Sequence, residues 1–249
     1  PIIILVFSFL FVSNVFAGRI KINHISLNLE KIETENLGII IWDQREMVSD
    51  RSQPESFLGY VRSITGIAYG HITKSKTSLV SILESKIAQA YESVNSKVAF
   101  VSMSPYENEG DLIHRIKNSS FDKILVLRLN NFIFDGVVKV EFVMDVETLI
   151  YNKKGELLYQ NNVNNKTPMG SSGKVNKTVP SNIKSSIEKI LNNSALHSEL
   201  NKNISSNVSA EKLDVIISKE GEEIEGRIIE ITDTTIKYKS ASQLEGPVR

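Results

Sequence analysis

Cysteine is absent from the 249 residues, and tryptophan occurs once. A chain without cysteine forms no disulfide scaffold, offers no thiolate to a metal and has no cysteine nucleophile. It also lacks the residue through which envelope lipoproteins are acylated. An excess of charge of one sign is missing too: 29 Lys+Arg stand against 29 Asp+Glu, so the formal net charge is +0. No global field draws such a chain to nucleic acid or to an anionic membrane. Phosphate-cradling and nucleophile-elbow motifs are absent: there is no GxGxxG, no GxxxxGK[ST] and no GxSxG. What is present is enough apolar material for a core, with 41% hydrophobic and 23% charged residues, which excludes wholesale disorder.

Only one long apolar run occurs. Ile2–Val12 carries a single polar residue, Ser8, and leads through Ser13 and Asn14 to Val15-Phe16-Ala17 and Gly18. A membrane-spanning helix needs about 20 apolar residues. A shorter run closed by a small-x-small triplet has the form of a secretory signal, with cleavage expected after Ala17. No Met opens the chain, so a few residues are expected ahead of Pro1. The protein is therefore expected to be exported, periplasmic or outer-membrane-associated. No later segment spans a membrane, and any membrane association of the mature chain is expected to be peripheral. Residues 18–36 form an N-terminal segment before the first strong pattern.

The main domain is expected over residues 37–200. Leu37–Trp42 is a short β-branched run of the buried-strand kind. Residues 43–75, with Pro54, Gly59, Gly66 and Gly70, read as a long loop, either a binding loop or an insertion. Thr77–Val94 places Leu79, Leu83, Ile87, Ala90, Tyr91 and Val94 on one helical face, with Thr77 or Ser78 as cap. Val98–Met103 reads as a second strand, and Asp111 as the cap of a short helix bearing Leu112, Ile113 and Ile116. The strongest signal is the pair Ile124–Phe134 and Val137–Tyr151, joined at Asp135-Gly136. Val138, Val140, Phe142, Met144 and Val146 alternate with charged residues, and the register slip at Asn130-Asn131 predicts a bulge. A third strand, Glu156–Val163, follows. Residues 164–180, rich in Asn, Lys, Gly and Ser, read as a flexible excursion, and Ser181–Leu200 as one helix.

Residues 201–210 form a polar linker. Beyond it Asp214–Ser218, Glu223–Ile231 and Thr235–Lys239 read as three short strands of a β module over 211–249. At about 36 residues such a unit is too small to stabilise itself by a core alone, and its abrupt end suggests truncation. The fold class expected is α+β (mixed α/β): a two-layer arrangement with a long antiparallel hairpin and helices on one face, plus the small all-β C-terminal module.

Two resemblances follow from these residues. The stretch Asp214–Gly226, continued by Ile228-x-Glu230-Ile231 and Ile236-x-Tyr238-Lys239, resembles a short β module of secreted and envelope proteins of Bacteroidetes-type bacteria. That resemblance implies an SH3-like or Sm-like unit without catalytic residues. The span from Trp42-Asp43-Gln44-Arg45 through Tyr159 is similar to small periplasmic lipoproteins of the YajG type and to auxiliary components of envelope transporters. It departs from them in lacking the lipid-carrying cysteine.

Chemistry-bearing patterns are few. His24, His71, His114 and His197 show no metal-ligand spacing, so no metal or other cofactor is expected. Ser181-x-x-Lys184 and Ser186-x-x-Lys189 fit the serine acyl-enzyme pattern but lack its companion motifs. The densest charged patch is Asp43, Arg45, Glu46, Asp50 and Arg51, which together with Trp42 we take as the candidate contact patch. Three functions are compatible with these features. The first is a non-enzymatic exported envelope protein that binds another envelope protein. The second is a periplasmic carrier of a lipid or glycan, and the third a hydrolase with its site near Asp43–Asp50. Nucleic acid is not an expected partner, and oligomeric state is left open.

Overall fold

The structure is a computed structural model describing residues 18–34 and 36–202, and the backbone alone for 16–17, 214–217, 223–231 and 236–240. The elements in chain order are β1 (Phe16–Ile20), β2 (Leu37–Asp43), α1 (Glu46–Ser49), β3 (Phe57–Arg62), β4 (Ala68–Thr73), α2 (Leu79–Ser93) and β5 (Val98–Phe100). There follow α3 (Glu109–Lys117), β6 (Lys123–Gly136), β7 (Lys139–Asn152), β8 (Leu157–Ser171), α4 (Val175–Leu191) and α5 (Ser194–Asn201). The fold is mixed α/β, as the patterning predicts.

β6 is the spine of an eight-stranded sheet. One edge pairs antiparallel with β7 along its length, from Lys123↔Asn152 to Gly136↔Val140, and β7 in turn pairs with β8. The other edge is shared. β2 lies parallel to its first half, Leu37↔Lys123 through Asp43↔Leu129, and β3 joins parallel at Gly59↔Phe134. The changeover falls beside the predicted bulge, where the register slips between Leu129 and Asn131. β5 flanks β2, β4 flanks β3, and β1 lies parallel to β4. Gly59 is obligatory at the junction. Its φ is +149° and a Cβ there would meet Phe134 O at 2.1 Å.

α2 lays Leu79, Ile82, Leu83, Ile87, Ala90 and Tyr91 on one sheet face. α4 adds Val179, Ile183, Ile187 and Leu191, and α5 adds Leu196 and Leu200. Leu125, Leu127, Leu129 and Phe142 receive them from the sheet. α3 sets Leu112 and Ile116 against Ile40, Trp42, Ile124 and Val126 of the opposite face. α2 is capped by the Ser78 side chain, which accepts from Ser81 N. For α3 the cap is Asn108 and not Asp111, which the sequence pattern suggested. Asp111 is its reciprocal partner, accepting from Asn108 N at 2.9 Å.

Several expectations are corrected. Residues 43–75 are no structureless loop: they hold α1 and the β3–β4 hairpin. The three-residue turn of that hairpin, with Ser63 N donating to Ile67 O and Gly66 at φ +84°, is a bulged turn whose apolar flanks are too short to register as strands. Residues 164–180 are no flexible excursion either. The first part completes β8, and the rest forms a 3₁₀ turn and the start of α4. β8 pairs on one side only, so its Asn and Lys residues are the polar dress of an edge strand. Pro168 sits next to the register slip between Val140 and Glu141. Pro180 lies inside α4 and masks the helix in the sequence. The single helix expected over 181–200 breaks at Asn192-Asn193 into α4 and α5. The turn of the long hairpin falls at Val137-Val138, two residues after Asp135-Gly136.

The N-terminal segment packs without joining a sheet ladder beyond Ile20. Ile22, Ile25, Leu27, Leu29 and Ile32 are buried while their neighbours face water. Its backbone bonds are taken up by side chains instead. Asn192 accepts from Glu30 N at 2.9 Å and donates to Asn28 O at 2.8 Å, Glu188 accepts from Asn28 N, and Ser96 bonds both N and O of Ile32. Lys123, buried at the start of β6, donates from Nζ to the carbonyls of Glu199 and Leu200 at 2.6 and 3.0 Å. A cation there satisfies the terminal carbonyls of α5 and complements its dipole.

Residues 1–201 and 202–249 form two compact units. The second contains β9 (Asp214–Ile217), β10 (Glu223–Ile231) and β11 (Ile236–Ser240), antiparallel in the order β11-β10-β9. These match the three strands read from the sequence. The turns between them, linker residues 203–210 and apolar run 2–12 lie outside the described residues. The expected cleavage point after Ala17 falls within β1.

Candidate functional site

The strand-end patch divides into a buried half and an exposed half. Asp43 and Arg45 are each 1% exposed. Arg45 Nε donates to Asp43 Oδ1 at 2.7 Å and Nη2 to Oδ2 at 2.6 Å, a bidentate pair. The remaining donors go to backbone: Nη1 to Phe57 O at 2.6 Å and Nη2 to Glu55 O at 3.4 Å. The bridge therefore closes the gap in which β2 gives way to β3 along β6. Both Asp43 oxygens accept from Arg45, and burial keeps the carboxylate out of reach of a substrate in solvent. Trp42 points to the opposite face, 3% exposed and packed in the α3 cluster.

Glu46, Asp50 and Arg51 are exposed on and just after α1. Asp50 accepts from Ser52 N at 2.8 Å, and that backbone bond, ahead of one from the Ser52 side chain, holds its carboxyl below the usual carboxylate range. Arg51 has φ +66°, a left-handed conformation uncommon for a side-chain-bearing residue. Its guanidinium lies 4.3 Å from the centroid of the Tyr106 ring. Tyr106 is itself 48% exposed. Gln44 ties the two loops together by donating from Nε2 to Pro105 O at 2.9 Å. Glu107 accepts from Ser104 N and pairs with Arg115, so the loop carrying Tyr106 is braced at both ends.

A second constellation was not legible in the sequence. Arg128, opposite Trp42 in the parallel register, lies 4.7 Å over its indole ring and bridges Glu147 at 2.7 Å and Glu109. Tyr151 is next to this pair, and burial, followed by the nearby Glu109 charge, raises its hydroxyl pKa. Apart from Glu147 and Tyr151, both on β7, these residues are distant in the chain; the β2–β6–β7 register and the packing of α3 on that face bring them together, and no local spacing signals it.

The histidines do not converge. His24 and His114 are exposed. His197 Nε2 bonds Leu191 O at 2.7 Å. His71 is buried against Phe134 and Gly18, its Nδ1 donates to Tyr69 O, and desolvation lowers its pKa. Among the described residues no three His, Asp or Glu side chains are placed to hold a metal ion. None of the described helices is long and apolar enough to cross a membrane. The space between helices and sheet is filled by core side chains. A hollow of about 490 Å³, lined by Lys31, Ile32, Glu33, Thr34, Asn95, Ser96 and Lys97, lies outside that layer beyond the end of α2. Its lining is mostly polar.

No protein-family profile matches the chain, and no curated protein sequence is similar to it. Solved structures are. A DUF330-family protein from Xanthomonas campestris shares 10% identity over 74% of this chain and 97% of its own, with a TM-score of 0.48. The PelC dodecamer from Paraburkholderia phytofirmans provides a second, at 9% identity over 72% and 95%, TM-score 0.34. A lipoprotein from Neisseria meningitidis is similar at 9% identity over 64% and 99%, TM-score 0.26. Overlaps at this level transfer no residue role to this chain.

Proposed function

We propose that this protein is a non-enzymatic, exported component of a bacterial cell envelope that acts by binding another envelope protein. The observation that carries the reading is the Arg51–Tyr106 pair. A left-handed, side-chain-bearing residue costs roughly 1–3 kcal/mol and persists where its surroundings over-determine it. Here that conformation places a guanidinium over an exposed ring, on a base made rigid by the buried Asp43–Arg45 bridge. Arginine and tyrosine are the residue types that dominate binding energy at protein interfaces. The patch is thus Glu46, Asp50, Arg51 and Tyr106 at the surface, with Trp42, Asp43 and Arg45 acting beneath it as support. The apolar run Ile2–Val12 with its small-x-small end supports export. The burial of Asp43 and its engagement by Arg45 argue against acid–base chemistry at this strand end.

The test is a photo-cross-linking amino acid substituted for Tyr106 in the full chain, irradiated in intact cells. A discrete adduct of one mass, lost when Arg51→Ala is added, is the expected result. If irradiation yields only uncross-linked protein, the contact patch is elsewhere and the reading fails.

A further inference from the structure

Two hairpins of the sheet end side by side with their apolar residues in water. The three most exposed large apolar side chains among the described residues are here: Ile64 at 89%, Val138 at 65% and Ile67 at 57%, with Val137 at 40% beside them. Ile64 and Ile67 occupy the β3–β4 turn, and Val137 and Val138 the β6–β7 turn. β3 runs parallel to β6, so both turns leave the sheet in the same direction. Just below them Arg62 Nε and Nη2 donate to Asp135 Oδ1 and Oδ2 at 2.7 and 2.8 Å. This ties the two hairpins into one platform. Single exposed apolar residues need no explanation, but four on two coupled turns do.

At the turns themselves the side-chain charges are cationic: Asp135 below them is bonded by Arg62, and the exposed Glu141 lies beyond Val140 along β7. β8 ends at Ser171 opposite Lys139, so the turn into α4 comes to the same end of the sheet. Residues 63–67, 136–140 and 170–177 contain Lys139, Lys174 and Lys177 and no carboxylate, and all three lysines are exposed. In a chain of zero net charge this segregation is local.

We propose that this end of the sheet docks on a lipid surface bearing anionic headgroups. Ile64, Ile67, Val137 and Val138 enter the headgroup–acyl boundary, and Lys139, Lys174 and Lys177 contact the headgroups. Apolar side chains flanked by cations are the composition of an interfacial anchor. The surface uses none of the residues of the Arg51–Tyr106 patch, so each can fail while the other stands.

The absence of cysteine makes Ile64→Cys, Val138→Cys and Ser85→Cys single labelling sites in the full chain. Ser85 is exposed on α2 and serves as the control. An environment-sensitive fluorophore at 64 or 138 is expected to shift to the blue on adding phosphatidylglycerol–phosphatidylethanolamine vesicles and to be quenched by brominated acyl chains. The same label at 85 stays unchanged. In flotation with those vesicles, Ile64→Asp/Ile67→Asp reduces the bound fraction, and each Lys→Gln change weakens binding about fivefold. These side chains are exposed, and an unaltered circular-dichroism melt verifies folding. The proposal is overturned by labels at 64 and 138 that ignore vesicles, or by an equal response at 85. Equal binding to phosphatidylcholine vesicles also overturns it. So does a shift that follows protein concentration without lipid, since the turns would then meet a second copy of the chain.

Discussion

Single residues show how little of the charged strand end is available for chemistry. Asp43 and Arg45 read in the sequence as part of an exposed patch, because two charges after a strand usually face water. Their burial has a cause outside the dipeptide: the loop carrying Glu55 and Phe57 folds over them and offers its carbonyls to Arg45. Removing one partner leaves the other charge buried and unpaired. Arg45→Ala is expected to destabilise the main unit by about 3–5 kcal/mol, measured by urea denaturation. A loss below about 1 kcal/mol, the range of an exposed pair, would contradict the buried geometry. Arg51→Ala, by contrast, removes a surface side chain and should leave the denaturation midpoint nearly unchanged, so the two arginines are separable by this measurement. Among the described residues the Tyr91 hydroxyl is buried without a hydrogen-bond partner, and burial pushes its pKa well above the ordinary tyrosine value. It is present in the core for its ring.

Elements with a strong internal period were legible. α2 follows from its apolar stripe, and the β6–β7 hairpin from alternation and from a slip at Asn130-Asn131 that is a real bulge. Elements whose pattern depends on what lies beside them were not. β8 is polar because it is an edge, and α4 conceals its start behind Pro180. The segment Ile22–Ile32 alternates buried and exposed residues like a strand, yet much of its bonding is to side chains of α4 and to Ser96. Asn192 behaves there as a peptide group would, giving one donor and one acceptor to the same stretch of backbone. Asn192→Ala is accordingly expected to cost about 1–2 kcal/mol and to raise the amide exchange rate of Glu30 ahead of those in β2. An unchanged rate at Glu30 would show that the segment is held by its apolar residues alone.

At the scale of the whole molecule the chain is two units, and each carries its own sheet. The first closes its core with α5, which ends at Asn201, helices included. A chain ending at Lys202 is therefore expected to melt cooperatively, its Tm within about 3 °C of the full chain, by circular dichroism, a shift of less than about 1 kcal/mol. A non-cooperative melt would mean that residues 203–249 complete the core of the first unit.

What the amino-acid order determined by itself is whatever a short window of physics can read. That includes the apolar run at the start, the absence of thiol chemistry, the amphipathic helix, the long hairpin with its bulge and the three strands of the tail. Each depends on residues within about one element's length of one another, so propensity and period suffice. The tertiary structure decided what depends on distant residues meeting. The order of strands on the two edges of β6, the burial of Asp43 against Arg45, and the meeting of Arg128 with Trp42, Glu109 and Glu147 are of this kind. So is the alignment of Ile64, Ile67, Val137 and Val138 at one end. These follow from which strand pairs with which, a choice made by the summed burial of both sheet faces and recorded in no local spacing.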